Sequence, residues 1–360
     1  RLFSGIAGSS FVMAQFWPSR MFSREIVGTA NGIVGGWGNL GGAFTQVFMG
    51  SVLFPTFKGM YADESPERAA ELSWRKICVI PAVAAFVWGL ILPWISDDAP
   101  MGNYAQMKKT GSMDRIFITT ALRKTATVNT WILYIQYACS FGVELVMNNG
   151  AVLYFASEFD LTTERAAMIG FIYSSMNIVM RALGGWASDR LNLIVGMRGR
   201  LWLITVLLLM EGAMIIVFAF TKTLSGSVLV MVGFSVFTQA AEGAIYGVVP
   251  YVSRLYTGSV AGLVGAGGNA GSVVYGFGFR SLPYRDAFIM MGSIVMASSF
   301  LSVFIKIPCH AGMLFGEDNH AVIQARERFL EKRALEQRKL EQLALDRQLG
   351  IDPQEQQQQQ

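Results

Sequence analysis

Nine long apolar runs constrain this chain more than any other feature of its sequence. They cover residues 1–22, 26–54, 77–95, 129–156, 165–186, 199–220, 226–248, 258–279 and 286–305. Each run has about the length that an α-helix needs to cross a bilayer, roughly 20 residues. Only 15% of the residues are charged, against about 25% in soluble domains. The sequence therefore predicts an all-α polytopic membrane protein, since helices satisfy their own backbone hydrogen bonds in lipid.

An internal repeat relates residues 23–42 to residues 253–272. Nine of the twenty ungapped positions are identical, and Asn39 matches Asn269, whereas unrelated stretches share about one or two positions. The repeated segments lie six spans apart, so the repeat is parallel, as between the halves of many transporters. We therefore expect a protein of twelve transmembrane helices, of which this chain contains nine, with the N-terminal three missing before Arg1.

The repeat and the linker lengths divide the chain into four parts. We expect residues 1–96 to be the remainder of an N-terminal six-helix bundle (helices 4–6) and residues 129–308 to be a C-terminal six-helix bundle (helices 7–12). Residues 97–128 form a central linker, and residues 309–360 a charged helical tail with a glutamine-rich end. Most of the 29 basic residues, Arg115 of the linker among them, lie on the side of the linker and tail. The positive-inside rule therefore places the linker and the C-terminus in the cytoplasm.

Several classes of function are disfavoured by the composition. The net charge of +4 is too small to indicate a nucleic-acid partner. The three cysteines form no CxxC pair, and both histidines, His310 and His320, follow the last span. We therefore expect no metal site and no histidine proton relay in the membrane. No span carries a nucleophile beside a base, so an enzyme is not expected.

The glycines of the second span form a GxGxxG pattern that begins at Gly36. It does not indicate a dinucleotide cofactor, because it lies inside a span rather than between a strand and a helix, and no cofactor is expected. Gly28, Gly32 and Gly36 recur every four residues, a spacing that lets membrane helices approach closely. Packing does not account for Asn39 and Asn269, which are polar. A buried amide needs partners, and a substrate is one such partner.

Arg181 carries the strongest single signal for function. An arginine at mid-span costs about 2.5–3.5 kcal/mol on insertion scales, so it usually faces a cavity or an acidic partner. One interpretation is a structural ion pair with Glu144 or Glu242. The other is an anion site, because the guanidinium is planar, permanently charged and donates hydrogen bonds in a fork. The sequence leaves both interpretations open.

Glu144 and Glu242 are acidic residues inside spans, and three roles are open to each of them. Each is a candidate proton carrier, a candidate counter-ion for Arg181, or a hydrogen-bonded structural group. Tyr134 and Tyr137 share a span with Glu144 and could donate to an anion. Tyrosines near span ends are, however, more often interfacial anchors.

Asp189 and Arg190 lie at the predicted cytoplasmic end of the fifth span. Oppositely charged side chains at this point could form a latch between helices, which would give them a role in gating. A simple basic stop signal accounts for the same residues equally well.

Two glycine-rich segments carry a resemblance to a known family. Residues 35–46 read GGWGNLGGAFTQ, and residues 265–271 read GAGGNAG. They resemble the first and second nitrate signatures of the nitrate/nitrite porter family, which belongs to the major facilitator superfamily. Further similarity covers residues 181–189, 196–202 and 249–254. The resemblance extends from residue 1 to about residue 308 and is strongest to the eukaryotic high-affinity nitrate transporters.

The resemblance implies the major facilitator fold and a symporter that imports nitrate, and nitrite, with protons by alternating access. It implies the plasma membrane as the location and leaves an accessory subunit open. By resemblance, Arg181, Asn39 and Asn269 line the anion site together with Gly38 and Gly268. The family grips its anion with a second arginine on helix 2, which would precede this chain. Glu144 and Glu242 remain the candidates for proton coupling.

Two other functions remain open at this stage. One is a nitrate-sensing or partner-binding membrane protein that signals through the C-terminal tail. The other is a porter of a different small anion.

Overall fold

The computed structural model describes residues 2–111 and 118–348, and their backbone is almost entirely helical. In chain order the helices are α1 (Leu2–Gly8), α2 (Ser10–Met21), α3 (Val27–Phe44), α4 (Phe54–Met60), α5 (Pro66–Ile77), α6 (Val79–Ile95), α7 (Tyr104–Lys109), α8 (Ile118–Thr125), α9 (Val128–Glu158), α10 (Thr163–Ser175), α11 (Asn177–Val195), α12 (Met197–Ala219), α13 (Leu224–Val252), α14 (Thr257–Ser281), α15 (Tyr284–Ser299) and α16 (His320–Gln348). A π-helical segment, Thr45–Leu53, joins α3 to α4, and a 3-10 turn, Phe300–Phe304, extends α15. Arg1, Arg115 and the glutamine-rich end lie outside the described residues.

Seven continuous helical stretches of the described chain are long and apolar enough to cross a membrane. They are Val27–Met60, Pro66–Ile95, Val128–Glu158, Arg165–Val195, Met197–Ala219, Leu224–Val252 and Tyr284–Phe304. The other two predicted spans are also helical. The first is divided at Ser9 into the short helices α1 and α2, and the eighth is α14, whose 25 residues include many glycines. The predicted all-α, membrane-spanning class is therefore confirmed.

The fifth predicted span is longer in the structure than in the prediction. Helix α11 continues past residue 186 to Val195, so that Asp189 and Arg190 lie on helical turns. Gly196 ends the helix with φ of 70°, a conformation that glycine adopts without the steric penalty of a Cβ atom.

The main hydrophobic core lies among helices α9 to α15. Leu133, Phe155, Phe218 and Phe234 are fully buried in it, and α9 packs along α14 while α12 packs along α15. In contrast, α6 has no buried side chain although its sequence is strongly apolar.

Glycines bring α3 and α13 into close contact with the two sides of α11. Gly28, Gly32 and Gly36 of α3 all face the backbone of α11. A Cβ atom at Gly32 would lie 2.5 Å from the carbonyl oxygen of Arg181, and one at Gly243 of α13 would clash with the same oxygen. The packing interpretation of the four-residue glycine spacing is confirmed, and this packing places Arg181 between three helices.

The chain after the last span folds back onto the bundle before α16 begins. Arg198, at the start of α12, donates to the carbonyl oxygens of Gly312 and Gly316 at 3.3 and 2.8 Å. Asp318 forms an ion pair with Arg326 of α16 at 3.3 Å. The predicted charged helix is therefore present as α16, and its first turns are fastened to the end of the bundle.

Candidate functional site

Arg181 of α11 is enclosed in the bundle and is only 1% exposed. Its Nη1 lies 2.5 Å from Oε2 of Glu242 on α13 and 3.6 Å from Oε2 of Glu144 on α9. Its Nη2 donates to the hydroxyl of Tyr137 at 2.6 Å. Tyr134, the other tyrosine of interest, instead contacts the ring of a neighbouring tryptophan edge-on. The tertiary structure thus brings Arg181 into contact with Glu144 and Glu242, the two acids that the sequence analysis considered as its ion-pair partners.

Two stacked phenylalanine rings lie beside the guanidinium. Phe11 of α2 and Phe141 of α9 are nearly parallel, with ring centroids 5.6 Å apart. The Cζ atom of Arg181 lies 5.6 and 5.7 Å from the two centroids, distances at which a cation is attracted to an aromatic face. Sequence reasoning did not single these residues out, because the chain has 25 phenylalanines and nothing local distinguishes two of them.

Three amide groups donate hydrogen bonds to the Glu144 carboxylate. Asn39 of α3 lies 3.0 Å from Oε1 and 3.3 Å from Oε2, Asn177 of α11 lies 2.9 Å from Oε1, and Asn148 lies 3.3 Å from Oε1. Hydrogen bonds to a carboxylate favour its ionised form. Asn39 therefore reaches the Arg181 cluster through Glu144 and holds this acid in place.

Glu242 has a different environment, although it is also completely buried. Within residues 2–111 and 118–348, neither of its carboxylate oxygens accepts a hydrogen bond, so its contact with Arg181 is purely an ion pair. It also interacts with the carboxyl of Glu144. One guanidinium thus faces two carboxyl groups, which leaves an excess negative charge if both are ionised. Of the two acids, Glu242 is the one held by Arg181 alone.

The remaining residues predicted for the anion site have mixed positions. Gly268 packs against the ring of Phe141, so it adjoins the cluster. Asn269 is exposed, and its amide donates to the carbonyl oxygen of Gly265 in its own helix at 3.5 Å. A Cβ atom at Gly38 would meet open space. The structure therefore brings Asn39 and Gly268 towards Arg181 and leaves Asn269 and Gly38 on an open face.

A second polar cluster lies at the far end of α11, where Asp189 faces the first turn of α3. Its carboxylate accepts hydrogen bonds from the backbone amides of Gly28 and Thr29 at 3.0 and 2.6 Å, and from the Thr29 hydroxyl at 2.7 Å. Arg200 of α12 pairs with the same carboxylate at 2.8 Å. An acid at a helix N-terminus satisfies free amides and is favoured by the helix dipole. We call these four residues the latch.

Arg200, rather than Arg190, supplies the positive charge of the latch. Arg200 is fully buried and also donates to the carbonyl oxygen of Arg24 at 3.2 Å. Arg190 is exposed, and its guanidinium lies 5.5 Å from the ring of Trp186. The sequence analysis counted Arg200 only among the basic residues on the cytoplasmic side. Its position in the first turn of the predicted span 199–220 was the signal that could have indicated a buried side chain.

A third acid of the bundle, Glu211 of α12, was not singled out from the sequence. It is 0% exposed and lies in the middle of the predicted span 199–220. Its mid-span position was the available signal, since ionisable residues at membrane depth are rare and usually functional.

Two titratable groups near the latch have altered pKa values. Burial, together with the neighbouring charge of Arg254, holds the pKa of Arg24 below its ordinary value. Burial also lowers the pKa of His310 from its ordinary 6.5, and Asp318 opposes this shift only in part. His310 is therefore neutral at neutral pH, next to a guanidinium cluster that also disfavours its protonation. In the described part of the chain, no three histidine, cysteine or acidic side chains are grouped to hold a metal ion.

A bundle of membrane-spanning helices with a buried arginine–acid cluster is an architecture typical of membrane transport proteins. Residues 1–276 match the Major Facilitator Superfamily, and the chain belongs to this superfamily. It is 38% identical over 322 residues to high-affinity nitrate transporter 2.3 of Oryza sativa subsp. japonica, which covers 88% of this chain and 61% of the relative.

Two further relatives extend the similarity. High affinity nitrate transporter 2.5 of Arabidopsis thaliana is 34% identical over 328 residues, covering 90% of this chain and 64% of the relative. The nitrate/nitrite transporter NrtP of Picosynechococcus sp. is 28% identical over 358 residues, covering 76% and 66%. The chain thus spans less than two thirds of the length of the first two relatives. The resemblance seen in the glycine-rich signatures is confirmed.

Proposed function

We propose that this chain takes part in the proton-coupled import of nitrate, and of nitrite, by alternating access across the plasma membrane, with its tail in the cytoplasm. The observation that carries the proposal is the buried guanidinium of Arg181, paired with an acid that accepts no hydrogen bond within residues 2–111 and 118–348. The names of the relatives support nitrate as the substrate.

Nitrate suits the surroundings of Arg181 because it is flat, singly charged and weakly basic. The guanidinium donates in a planar fork that matches two oxygens of a planar anion. The hydroxyl of Tyr137, which accepts from Arg181, has a proton of its own to donate to the anion. Amide donors from Asn39 and Asn269 complete the site if α3 and α14 move towards each other.

Proton coupling follows from competition for Arg181. Nitrate has to replace a carboxylate at Nη1, and Glu242 is the one with no hydrogen bonds to hold it. Once displaced, a buried carboxylate without a cation is far more stable when protonated. Glu144 keeps its amide donors Asn148 and Asn177. Nitrate therefore enters together with a proton that binds Glu242, and the charge of the cluster is unchanged.

Alternating access requires one end of the bundle to close while the other opens. The latch of Asp189, Thr29, Gly28 and Arg200 is closed here, on the face that the basic residues assign to the cytoplasm. Opening it breaks charge-assisted hydrogen bonds but leaves the glycine contacts of α3 as a pivot. We therefore assign Asp189 a gating role and give Arg200 the partner role that Arg190 was expected to have.

Uptake of isotope-labelled nitrate into oocytes tests the proposal, with and without residues 309–360. Uptake that persists without the tail supports a transporter. Nitrate binding without uptake, together with a cellular response that requires the tail, supports a nitrate-sensing protein instead. Competition by nitrite, chlorate and bicarbonate tests the third candidate, a porter of another anion. Co-expression with candidate accessory membrane proteins shows whether a second subunit is needed.

A further inference from the structure

Among the described residues, Glu211 forms an ion pair with no cation. Its side chain is fully buried, and neither carboxylate oxygen has a hydrogen-bond partner within the described residues. The hydroxyl of Thr238, which faces it from α13, donates instead to the carbonyl oxygen of Phe234 at 3.0 Å. A carboxyl group without hydrogen-bond partners is far more costly to bury in its ionised form than in its neutral form.

The titratable groups that interact with Glu211 come from four helices, and none is a cation. They are Cys139 of α9, Tyr173 of α10, Glu242 of α13 and Tyr275 of α14. Helix α15 also packs on α12 but carries its charged residues in its first turn, more than one turn from the contact between Gly212 and Gly292. An ionised Glu211 would therefore be uncompensated in this conformation.

Tyr173 of α10 lies within electrostatic reach of Glu211 and of both acids of the Arg181 cluster, although its hydroxyl does not hydrogen-bond to them in this conformation. It is fully buried, its hydroxyl has no hydrogen-bond partner in the described part of the chain, and it interacts with Glu144, Glu242 and Glu211. A tyrosine hydroxyl both donates and accepts a hydrogen bond, which lets it pass a proton along. Gln239 fixes its helix by donating to the carbonyl oxygen of Tyr173 at 2.9 Å.

We propose that Glu211 is a second, internal proton-binding site of this chain, which exchanges its proton with Glu242 by way of the Tyr173 hydroxyl. The proton of the Glu211 carboxyl passes to the oxygen of Tyr173 while the Tyr173 hydroxyl proton passes to the Glu242 carboxylate. The result is a carboxylate at Glu211 and a carboxylic acid at Glu242, with no other reactant.

The direction of this exchange depends on the anion. While Arg181 holds Glu242, the carboxylate at Glu242 is stabilised and the proton remains on Glu211. When nitrate takes Arg181, Glu242 loses its cation and competes for the proton on equal terms. This part of the inference rests on the proposed nitrate function, whereas the proton on Glu211 does not.

Infrared difference spectroscopy of the purified chain in lipid tests the site directly. At neutral pH without nitrate, we expect a C=O stretching band of a dry carboxylic acid that disappears in Glu211→Gln. The matched control is Glu158→Gln, which changes an exposed acid at the end of α9 and should keep the band. A thermal unfolding scan confirms that both variants fold. An unchanged band in folded Glu211→Gln would overturn the proposal.

The exchange step has its own readout. Nitrate should weaken or shift the Glu211 band in the unaltered chain, and Tyr173→Phe, which removes only the hydroxyl, should keep the band but abolish the response to nitrate. A normal nitrate response in Tyr173→Phe contradicts the relay. If the band is present and depends on Glu211 but no nitrate is bound or transported, the proposed function fails while the proton site stands.

Discussion

Arg181 and Glu242 form an ion pair, with Nη1 and Oε2 2.5 Å apart, in which the two side chains are 1% and 0% exposed. The guanidinium that we propose as the binding group for the anion is therefore paired with the protein's own carboxylate in this conformation. In the proposed mechanism an anion that enters has to displace this acid, which would link the binding of substrate to the binding of a proton. The experiments below test different parts of this linkage and of the packing that supports it.

Arg181→Lys should lower nitrate affinity at least about tenfold, or ~1.4 kcal/mol. Lysine keeps the charge but loses the fork that reaches both Glu242 and Tyr137. Isothermal titration calorimetry of the purified chain with nitrate measures the change. Arg190→Lys, on the exposed face of the same helix, is the control and should bind as the unaltered chain does. Equal affinities for the two variants would show that Arg181 is not the ligand.

Glu242→Gln should remove the pH dependence of nitrate binding, because glutamine cannot take up the proton that follows displacement. It should also strengthen nitrate binding, since the competing carboxylate is gone. Glu144→Gln should keep the pH dependence but reduce stability by about 1–3 kcal/mol, since its amide donors lose a charged acceptor. Calorimetry at acidic and neutral pH, with thermal unfolding in parallel, separates the two. The reverse pattern would assign the proton to Glu144.

Asp189→Asn and Arg200→Gln should show a coupling energy of about 0.5–3 kcal/mol in a double-mutant cycle, because the two side chains share one buried ion pair. Thermal or denaturant unfolding in detergent supplies the four stabilities. The cycle of Asp189→Asn with Arg190→Gln is matched in charge, and we expect no coupling there because Arg190 lies over Trp186. Coupling to Arg190 instead of Arg200 would refute the latch.

Gly36→Ala should destabilise the chain by about 1–3 kcal/mol, the usual result of overpacking, because its Cβ atom would clash with the carbonyl oxygen of Asn177. Gly38→Ala should leave stability within about 0.5 kcal/mol, since its Cβ atom meets open space. Thermal unfolding measures both. Nitrate titration of Gly38→Ala then tests the anion-site role that the family resemblance implies, as a loss of binding without a loss of stability would support it.

Acidification should loosen the segment that fastens α16 to the bundle. Since the pKa of His310 is below 6.5 in the folded chain, the unfolded chain binds more protons as the pH falls through this value, and folded stability decreases. His310→Asn should flatten this part of the stability profile, and His320→Asn, at the exposed start of α16, should not. Limited proteolysis across the pH range follows the release of the segment. A profile that is unchanged in His310→Asn would exclude His310 as its cause.

The membrane class and the close approach of α3 to its neighbour could be predicted because both are local properties of the chain. A run of about 20 apolar residues defines a span wherever it packs, and glycines four residues apart lie on one helix face. Arg181 could also be predicted as a functional residue, since a charge at this depth is costly whichever residue it meets. For the latch, the sequence predicted Asp189 but not its partner. Asp189 meets Arg200 only because α11 and α12 pack against each other.

The sequence by itself determined that this chain spans a membrane, that it resembles the nitrate porters of the major facilitator superfamily and that one buried arginine needs a partner. Only the tertiary structure determined which residues are the partners of Arg181. Tyr137 and Glu144 approach Arg181 from α9, Glu242 from α13 and Phe11 from α2, and no local pattern encodes which of several mid-span acids comes near a given charge. The different environments of Glu144, Glu242 and Glu211 arise in the same way, because amide donors and cations from other helices, rather than neighbours in sequence, determine whether a buried carboxyl keeps its proton.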